Sequence, residues 1–252
     1  MKIAVITGAS SGLGTEFALA VDKYRADIDE IWLIARREDK LLSLAKLISK
    51  KVKIVPMDIT NEQKIEEYIN LLKSENAEIS LLVNNAGCGK LGMFEDMPYS
   101  DNILMVRLNC EALTVMTSAS LPFMQKGGEI INSCSIASFV PNTRMAVYSS
   151  TKAFVLSFSR ALRSELKKRG VNVLAVCPGP MDTEFLALAG IEKGTSRTFD
   201  TLPRVSPKTV AKKAIFASRK KRAVYTCLAF FKFYRFLAKI LPCSLVMKLA
   251  GT

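Results

Sequence analysis

The stretch Ile3-Ala4-Val5-Ile6-Thr7-Gly8-Ala9-Ser10-Ser11-Gly12-Leu13-Gly14 decides how the rest of the chain is read. A short, β-branched apolar run comes first and reads as a buried strand. Three glycines then let the backbone bend and approach a ligand closely, and residues 12–25 continue at helical spacing. Strand, glycine turn and helix in this order aim free backbone N–H groups and the helix dipole at one point, which suits a pyrophosphate.

Working outward, similar apolar runs recur at residues 31–34, 52–55, 81–83, 129–132 and 171–176. Helix-length segments lie between them, clearest at 39–50 and 61–72. Such alternation predicts repeated βαβ units, hence a single-domain, doubly wound parallel sheet of the Rossmann type with helices on both faces. A length of 252 residues, 49% hydrophobic and 23% charged, is ample for one such core. No Pro/Gly-rich linker, repeat or low-complexity block divides it. The expected catalytic domain is 1–227, followed by an amphipathic tail, 228–252, that is either part of that domain or peripheral to it.

In dinucleotide sites an acid at the end of the second strand commonly holds a ribose 2′-hydroxyl. Here that place reads Ile34-Ala35-Arg36-Arg37. Two guanidinium groups and no carboxylate predict NADP(H) over NAD(H), since arginine can grip a 2′-phosphate with paired charged bonds, although use of NAD(H) stays open.

The chain has no histidine and a formal charge of +13. The first fact excludes Ser-His-Asp and Cys-His nucleophilic mechanisms and argues against a metal site. Proton transfer then falls to Tyr, Lys, Cys or carboxylates. The second predicts attraction of anions without choosing among them. Six cysteines, never as Cys-x-x-Cys, read as free thiols of a cytoplasmic protein. The apolar run at the N-terminus is far shorter than the core of a signal peptide.

Tyr148 and Lys152 stand four apart, on one helical face, where the ammonium would favour the phenolate and bring the phenol toward neutral pH. Ser135, at the end of an apolar strand, can hydrogen-bond a substrate oxygen beside Tyr148. A Tyr-x-x-x-Lys pair alone is common on exposed helix faces; together with Ser135 and the glycine turn it describes a hydride-transfer site with a phenolic proton donor.

The chain resembles the short-chain dehydrogenase/reductase family. The resemblance rests on Thr7 to Gly14, Asn84-Asn85-Ala86-Gly87, Ser135, Tyr148-Ser149-Ser150-Thr151-Lys152 and Pro178-Gly179, in order and at matching spacing, with Asn109 where the family has a further active-site asparagine. It implies catalysis by Asn109, Ser135, Tyr148 and Lys152, with Lys152 also on the nicotinamide ribose and Asn109 holding a water that links Lys152 to solvent. The implied cofactor contacts are Gly8, Ser10, Ser11, Gly12, Leu13 and Gly14 of the turn, and Arg36 and Arg37. They continue with Asp58 and Ile59 by the adenine, Asn85, Ala86 and Gly87 at the floor, Pro178 and Gly179, and Thr183 on the carboxamide.

Substrate identity is less legible. Residues 182–202, which should close over it, include Phe185, Leu186, Leu188, Ile191 and Phe199, favouring an apolar carbonyl compound of steroid-like or fatty-acyl type. A 3-oxoacyl-thioester reductase and a non-catalytic dinucleotide sensor are the alternatives. The resemblance also implies a homodimer or homotetramer. Arg219-Lys220-Lys221-Arg222 is read as a solvated helix end, so no nucleic-acid partner is expected. The stretch 228–249 sets cations on one helical face among aromatics and leucines. It is too interrupted to span a membrane, and packing on the protein or lying in a membrane surface both remain open.

Overall fold

The computed structural model describes residues 1–192, 194 and 197–250; the other positions of the 182–202 segment and of the 228–252 tail lie outside the described residues. Strands and helices alternate: β1 (Lys2–Thr7), α1 (Gly12–Tyr24), β2 (Glu30–Ala35), α2 (Glu38–Ala45), β3 (Lys51–Pro56), α3 (Glu62–Ser74) and β4 (Glu78–Asn84). After β4 come α4 (Tyr99–Val106), α5 (Ala112–Ser120), β5 (Glu129–Ser133), α6 (Ala146–Glu165), β6 (Asn172–Cys177), α7 (Glu184–Leu188) and α8 (Arg197–Thr201). The chain closes with α9 (Pro207–Arg219), β7 (Val224–Thr226), α10 (Ala229–Ile240) and α11 (Cys243–Ala250).

All seven strands pair in parallel, in the order β3-β2-β1-β4-β5-β6-β7. This is the doubly wound, single-domain sheet expected. Its logic is visible in β1, where Ile3, Ala4, Val5 and Ile6 are all fully buried. Ala4 and Ile6 join Phe17 and Val21 of α1 and Val210 and Ile215 of α9 on one face. Ile3 and Val5 join Tyr68 and Leu72 of α3 and Met116 of α5 on the other. Both sides of the strand are core, so its sequence is a continuous apolar run and not an alternating one.

The edges look different. In β3, Lys51, Lys53 and Pro56 protect an outer strand against further pairing. The seventh strand, absent from the expected set, has only three residues and pairs with β6 alone, so it leaves little hydrophobic trace. Helix α2 stops at Ala45, short of the expected 39–50, and Leu47 beyond it is 68% exposed. The leucines there do not all belong to one face.

The chain leaves β1 in one lateral direction and β4 in the other, opening a crevice at the carboxyl ends of these strands. The tail forms one wall of that crevice. It is two helices, because Pro242 cannot continue α10 and Leu241 before it is extended.

Candidate active site

A cavity of about 1260 Å³ occupies the crevice. Of the residues expected at the site, all line it except Gly14 and Asn109. The glycine turn explains the first exception. Gly8 and Gly12 have φ of 66° and 54°, the left-handed region open to glycine. Gly14 is instead a packing contact: a Cβ there would stand 2.1 Å from the Gly8 carbonyl oxygen. Helix α1 therefore seats directly on the turn. Its first turn has no acidic residue, and Ser11 does not cap it, so the N-terminal amides are left for an anion.

At the end of β2 the two arginines have different partners. Arg37 donates to Ser10 Oγ at 3.2 Å and pairs with Glu184 at 2.9 Å, holding that carboxyl below its usual range. Arg36 is looser, with 73% of its side chain exposed and the Asp58 carboxylate 3.9 Å away. Asp58 accepts from the Thr60 amide and hydroxyl at 2.9 and 2.8 Å, so Arg36 and Asp58 lie together at one rim. Glu184 carries no local signal for this role, since its pairing crosses 147 residues.

The floor is a polar ladder across β1, β4 and β5. Thr7 Oγ1 accepts from the amides of Asn85 and Ala86 at 3.0 and 3.1 Å. Asn85 Oδ1 accepts from Ser133 Oγ at 3.1 Å, and the Ser133 carbonyl accepts from Lys152 Nζ at 3.0 Å. Thr7 and Ser133 are supports that only tertiary contact reveals. Among the described residues no carboxylate pairs with Lys152, whose burial lowers its pKa against the raising effect of nearby Cys134, Cys88, Cys110 and Cys177. A buried ammonium with donors to spare fits a hydroxyl-bearing ligand.

Helix α6 carries Tyr148 and Lys152 on its buried face. The Tyr148 hydroxyl is hydrogen-bonded to Ser135, whose Oγ also accepts from the Ala137 amide at 3.1 Å. Burial pushes the Tyr148 phenol above its ordinary pKa; the Ser135 bond opposes this, and the Cys134 and Cys88 thiols add to the rise. The expected downward shift from Lys152 is thus overturned in this arrangement. Lys152 Nζ stands 5.7 Å from the centre of the tyrosine ring and its hydrogen bond goes to Ser133, so desolvation of the phenolate dominates. Burial thus favours the neutral phenol of Tyr148.

The side chain of Asn109 is fixed by its neighbours. It lies in a π-helical turn, Arg107–Glu111, between α4 and α5, and is buried. Its Oδ1 accepts from the Cys88 amide at 2.9 Å, and its Nδ2 donates to the Cys88 carbonyl at 2.8 Å and to Thr151 Oγ1 at 3.0 Å. With both amide protons committed, the side chain braces the Gly87 turn against α6 instead of reaching into the cavity. A Cβ on Gly87 would meet Asn109 Oδ1 at 2.9 Å and Lys152 Nζ at 3.4 Å, which places these two groups around one glycine.

Near Ser135, Pro178 accepts from the Ile136 amide at 3.0 Å. Gly179 is closed over by the tail: a Cβ there would be 2.3 Å from the ring of Phe231. Thr183 covers Gly12, at 3.2 Å from the place a Cβ would take. Uncapped helix amides, two arginines and a buried ammonium held by the Ser133 carbonyl, in one cavity, fit a phosphorylated dinucleotide.

Comparison with known proteins agrees with this geometry. The family described as short chain dehydrogenase matches residues 2–192. An uncharacterized oxidoreductase of Staphylococcus aureus (strain USA300) is 30% identical over 226 residues, covering 88% of this chain and 93% of its own. A short-chain dehydrogenase from Sphingobium yanoikuyae, solved in complex with NADPH, superposes with a TM-score of 0.76 at 27% identity, covering 96% of this chain and 97% of that one. A serine dehydrogenase complexed with NADP+ gives a TM-score of 0.78 at 28% identity, covering 89% and 94%. With this match to the family over most of its length, the chain is a member of the short-chain dehydrogenase/reductase family and an oxidoreductase of that type.

Proposed function

We propose that this protein reduces the carbonyl of an apolar ketone or aldehyde with NADPH and oxidises the corresponding alcohol in reverse. The observation that carries the reading is the convergence of Ser135, Tyr148 and Lys152 on one cavity with the glycine turn and Arg36. Bound there, NADPH supplies the hydride. Ser135 and Tyr148 orient the substrate oxygen, and Tyr148 donates its proton to that oxygen as negative charge develops. Lys152, held by the Ser133 carbonyl, hydrogen-bonds the ribose and favours the phenolate left behind. The uncapped amides of α1 and residues 10–13 take the pyrophosphate, Arg36 and Arg37 the 2′-phosphate, Asp58 and Ile59 the adenine side, Asn85 to Gly87 the floor, and Thr183 the carboxamide.

An apolar substrate is supported by the lining of the catalytic end, where Leu91, Met145, Phe185 and Leu186 cluster with Tyr148 along the cavity. Steroid-like and fatty-acyl ketones both suit such walls. A homodimer or homotetramer working in the cytoplasm completes the reading; no helix among the described residues is long and apolar enough to cross a membrane. The test is oxidation of NADPH, followed by its absorbance, over a panel of steroid, acyl and aromatic carbonyls. Turnover of apolar members above polar sugars supports the assignment. Tight NADPH binding with no turnover of any carbonyl or alcohol supports a sensor in its place.

A further inference from the structure

Helix α10 has three sides. On the first, Phe231 is fully buried against Gly179, and half-buried Arg235 donates to Thr226 Oγ1 at 3.1 Å. On the second, Phe233, Phe236 and Ile240 fall on one stripe at spacings of three and four, and they are 60%, 56% and 59% exposed. The third side carries Lys232 and Lys239, both exposed.

The stripe runs into the mouth of the cavity. Phe230 and Phe233 line the cavity while being 56% and 60% exposed, as does Leu188 of α7 at 69%. Residues that are both lining and exposed form a rim, and this rim is apolar. A contiguous exposed patch of large aromatics is a docking surface and not ordinary surface scatter.

Charge identifies the occupant. Residues 201–252 hold 12 of the 36 Lys and Arg and none of the 23 Asp and Glu, so all but one of the thirteen net positive charges belong to the last fifth of the chain. A second copy docked face to face about a twofold axis would bring Lys232 and Lys239 near their own images with no carboxylate in the segment to pair them. An anionic lipid surface offers hydrocarbon to the phenylalanines and negative charge to the lysines flanking them. At 12 residues, α10 is too short to cross a bilayer, which takes about 20, and suits lying in its plane.

We propose that α10 docks this protein on an anionic phospholipid surface, aromatic stripe inward, with the cavity mouth at the headgroup layer. Entry of a lipid-dissolved substrate through that mouth rests on the reductase reading above. The docking does not, and is read without turnover.

The experiment is co-sedimentation of the full chain with phosphatidylglycerol–phosphatidylcholine vesicles and with pure phosphatidylcholine. The expected result is binding to the first, weaker binding to the second, and release by salt. Phe236→Ser with Ile240→Ser, and separately Lys232→Glu with Lys239→Glu, should each weaken partitioning by about tenfold or more. None of these four side chains lines the cavity, so melting temperature and turnover of a water-soluble carbonyl should stay as in the parent. Failure of the parent chain to sediment with anionic vesicles, or equal binding by both variants, overturns the proposal. So does a concentration-dependent dimer, seen by analytical ultracentrifugation, that Phe236→Ser with Ile240→Ser abolishes while vesicles have no effect.

Discussion

Gly179→Ala tests how the tail is held. Gly179 has no left-handed backbone, so alanine meets no conformational strain there, and the whole effect must come from contact with Phe231. The added methyl would lie 2.3, 2.5 and 3.1 Å from three carbons of that ring. Normal carbon–carbon contact is about 3.5–4 Å, so the ring must retreat by about 1 Å or more. The glycine side is poorly placed to yield, because its amide donates to Cys227 Sγ at 3.3 Å and the next carbonyl, that of Pro180, accepts from Val205 at 2.9 Å. Helix α10 should therefore move. Overpacking of this kind costs about 1–3 kcal/mol, comparable to the roughly 1.5–3 kcal/mol gained by burying a phenylalanine. Gly179→Ala should lower the urea midpoint at unchanged slope and speed tryptic cleavage at Lys232, Arg235 and Lys239. Phe231→Ala should itself cost about 3–5 kcal/mol, or less if α10 detaches first. In that background, adding Gly179→Ala should cost nearly nothing, because the ring it strikes is gone. Equal costs of Gly179→Ala in the two backgrounds would refute the argument, as would tryptic rates unchanged from the parent.

Three further outcomes are expected. Tyr148→Phe keeps the ring packing and removes the proton, so kcat for carbonyl reduction should fall by about 10²–10⁴ with NADPH affinity retained by fluorescence titration; near-normal turnover would defeat the mechanism. Arg36→Asp should move the ratio of kcat/KM for NADPH over NADH toward NADH, because a carboxylate repels the 2′-phosphate and accepts from a 2′-hydroxyl; an unchanged ratio assigns discrimination to Arg37 alone. Burial raises Tyr68 and Tyr148 above the ordinary phenol value. Folding therefore favours their protonated forms: the stability they contribute is complete below about pH 10, the unfolded value, and is lost as pH rises beyond it. Chemical denaturation across that range should show the loss, and Tyr68→Phe should reduce it.

Legibility in the sequence followed the range of the interactions. Ile3 to Ile6 announced a strand buried on both faces, because a parallel strand with helices above and below needs apolar residues at every position. Gly8, Gly12 and Gly14 announced the turn, because left-handed backbone and a 2.1 Å approach tolerate no side chain. Tyr148 and Lys152 announced themselves through helical spacing. These are local constraints, written within a few residues of one another.

Contacts between distant segments left no such mark. Nothing near Glu184 in sequence points to Arg37, and nothing near Phe231 points to Gly179; each pair is joined only when the sheet brings the ends of its strands together. The direction of the Tyr148 shift went the same way. Spacing showed that a cation was near, but whether its attraction exceeds the loss of hydration depends on how deeply the fold buries the phenol, and here burial prevails. Asn109 was picked out by the resemblance alone, while its bonds to Cys88 and Thr151 depend on a π-helical turn that no residue pattern declares. The sequence by itself thus determined the sheet, the glycine turn and the candidate catalytic pair on one helix face, because hydrophobic period and backbone sterics act along the chain. Tertiary structure alone decided the protonation of Tyr148, the bracing of Asn109 and the tail as a cavity wall, because desolvation and packing depend on what the fold brings near.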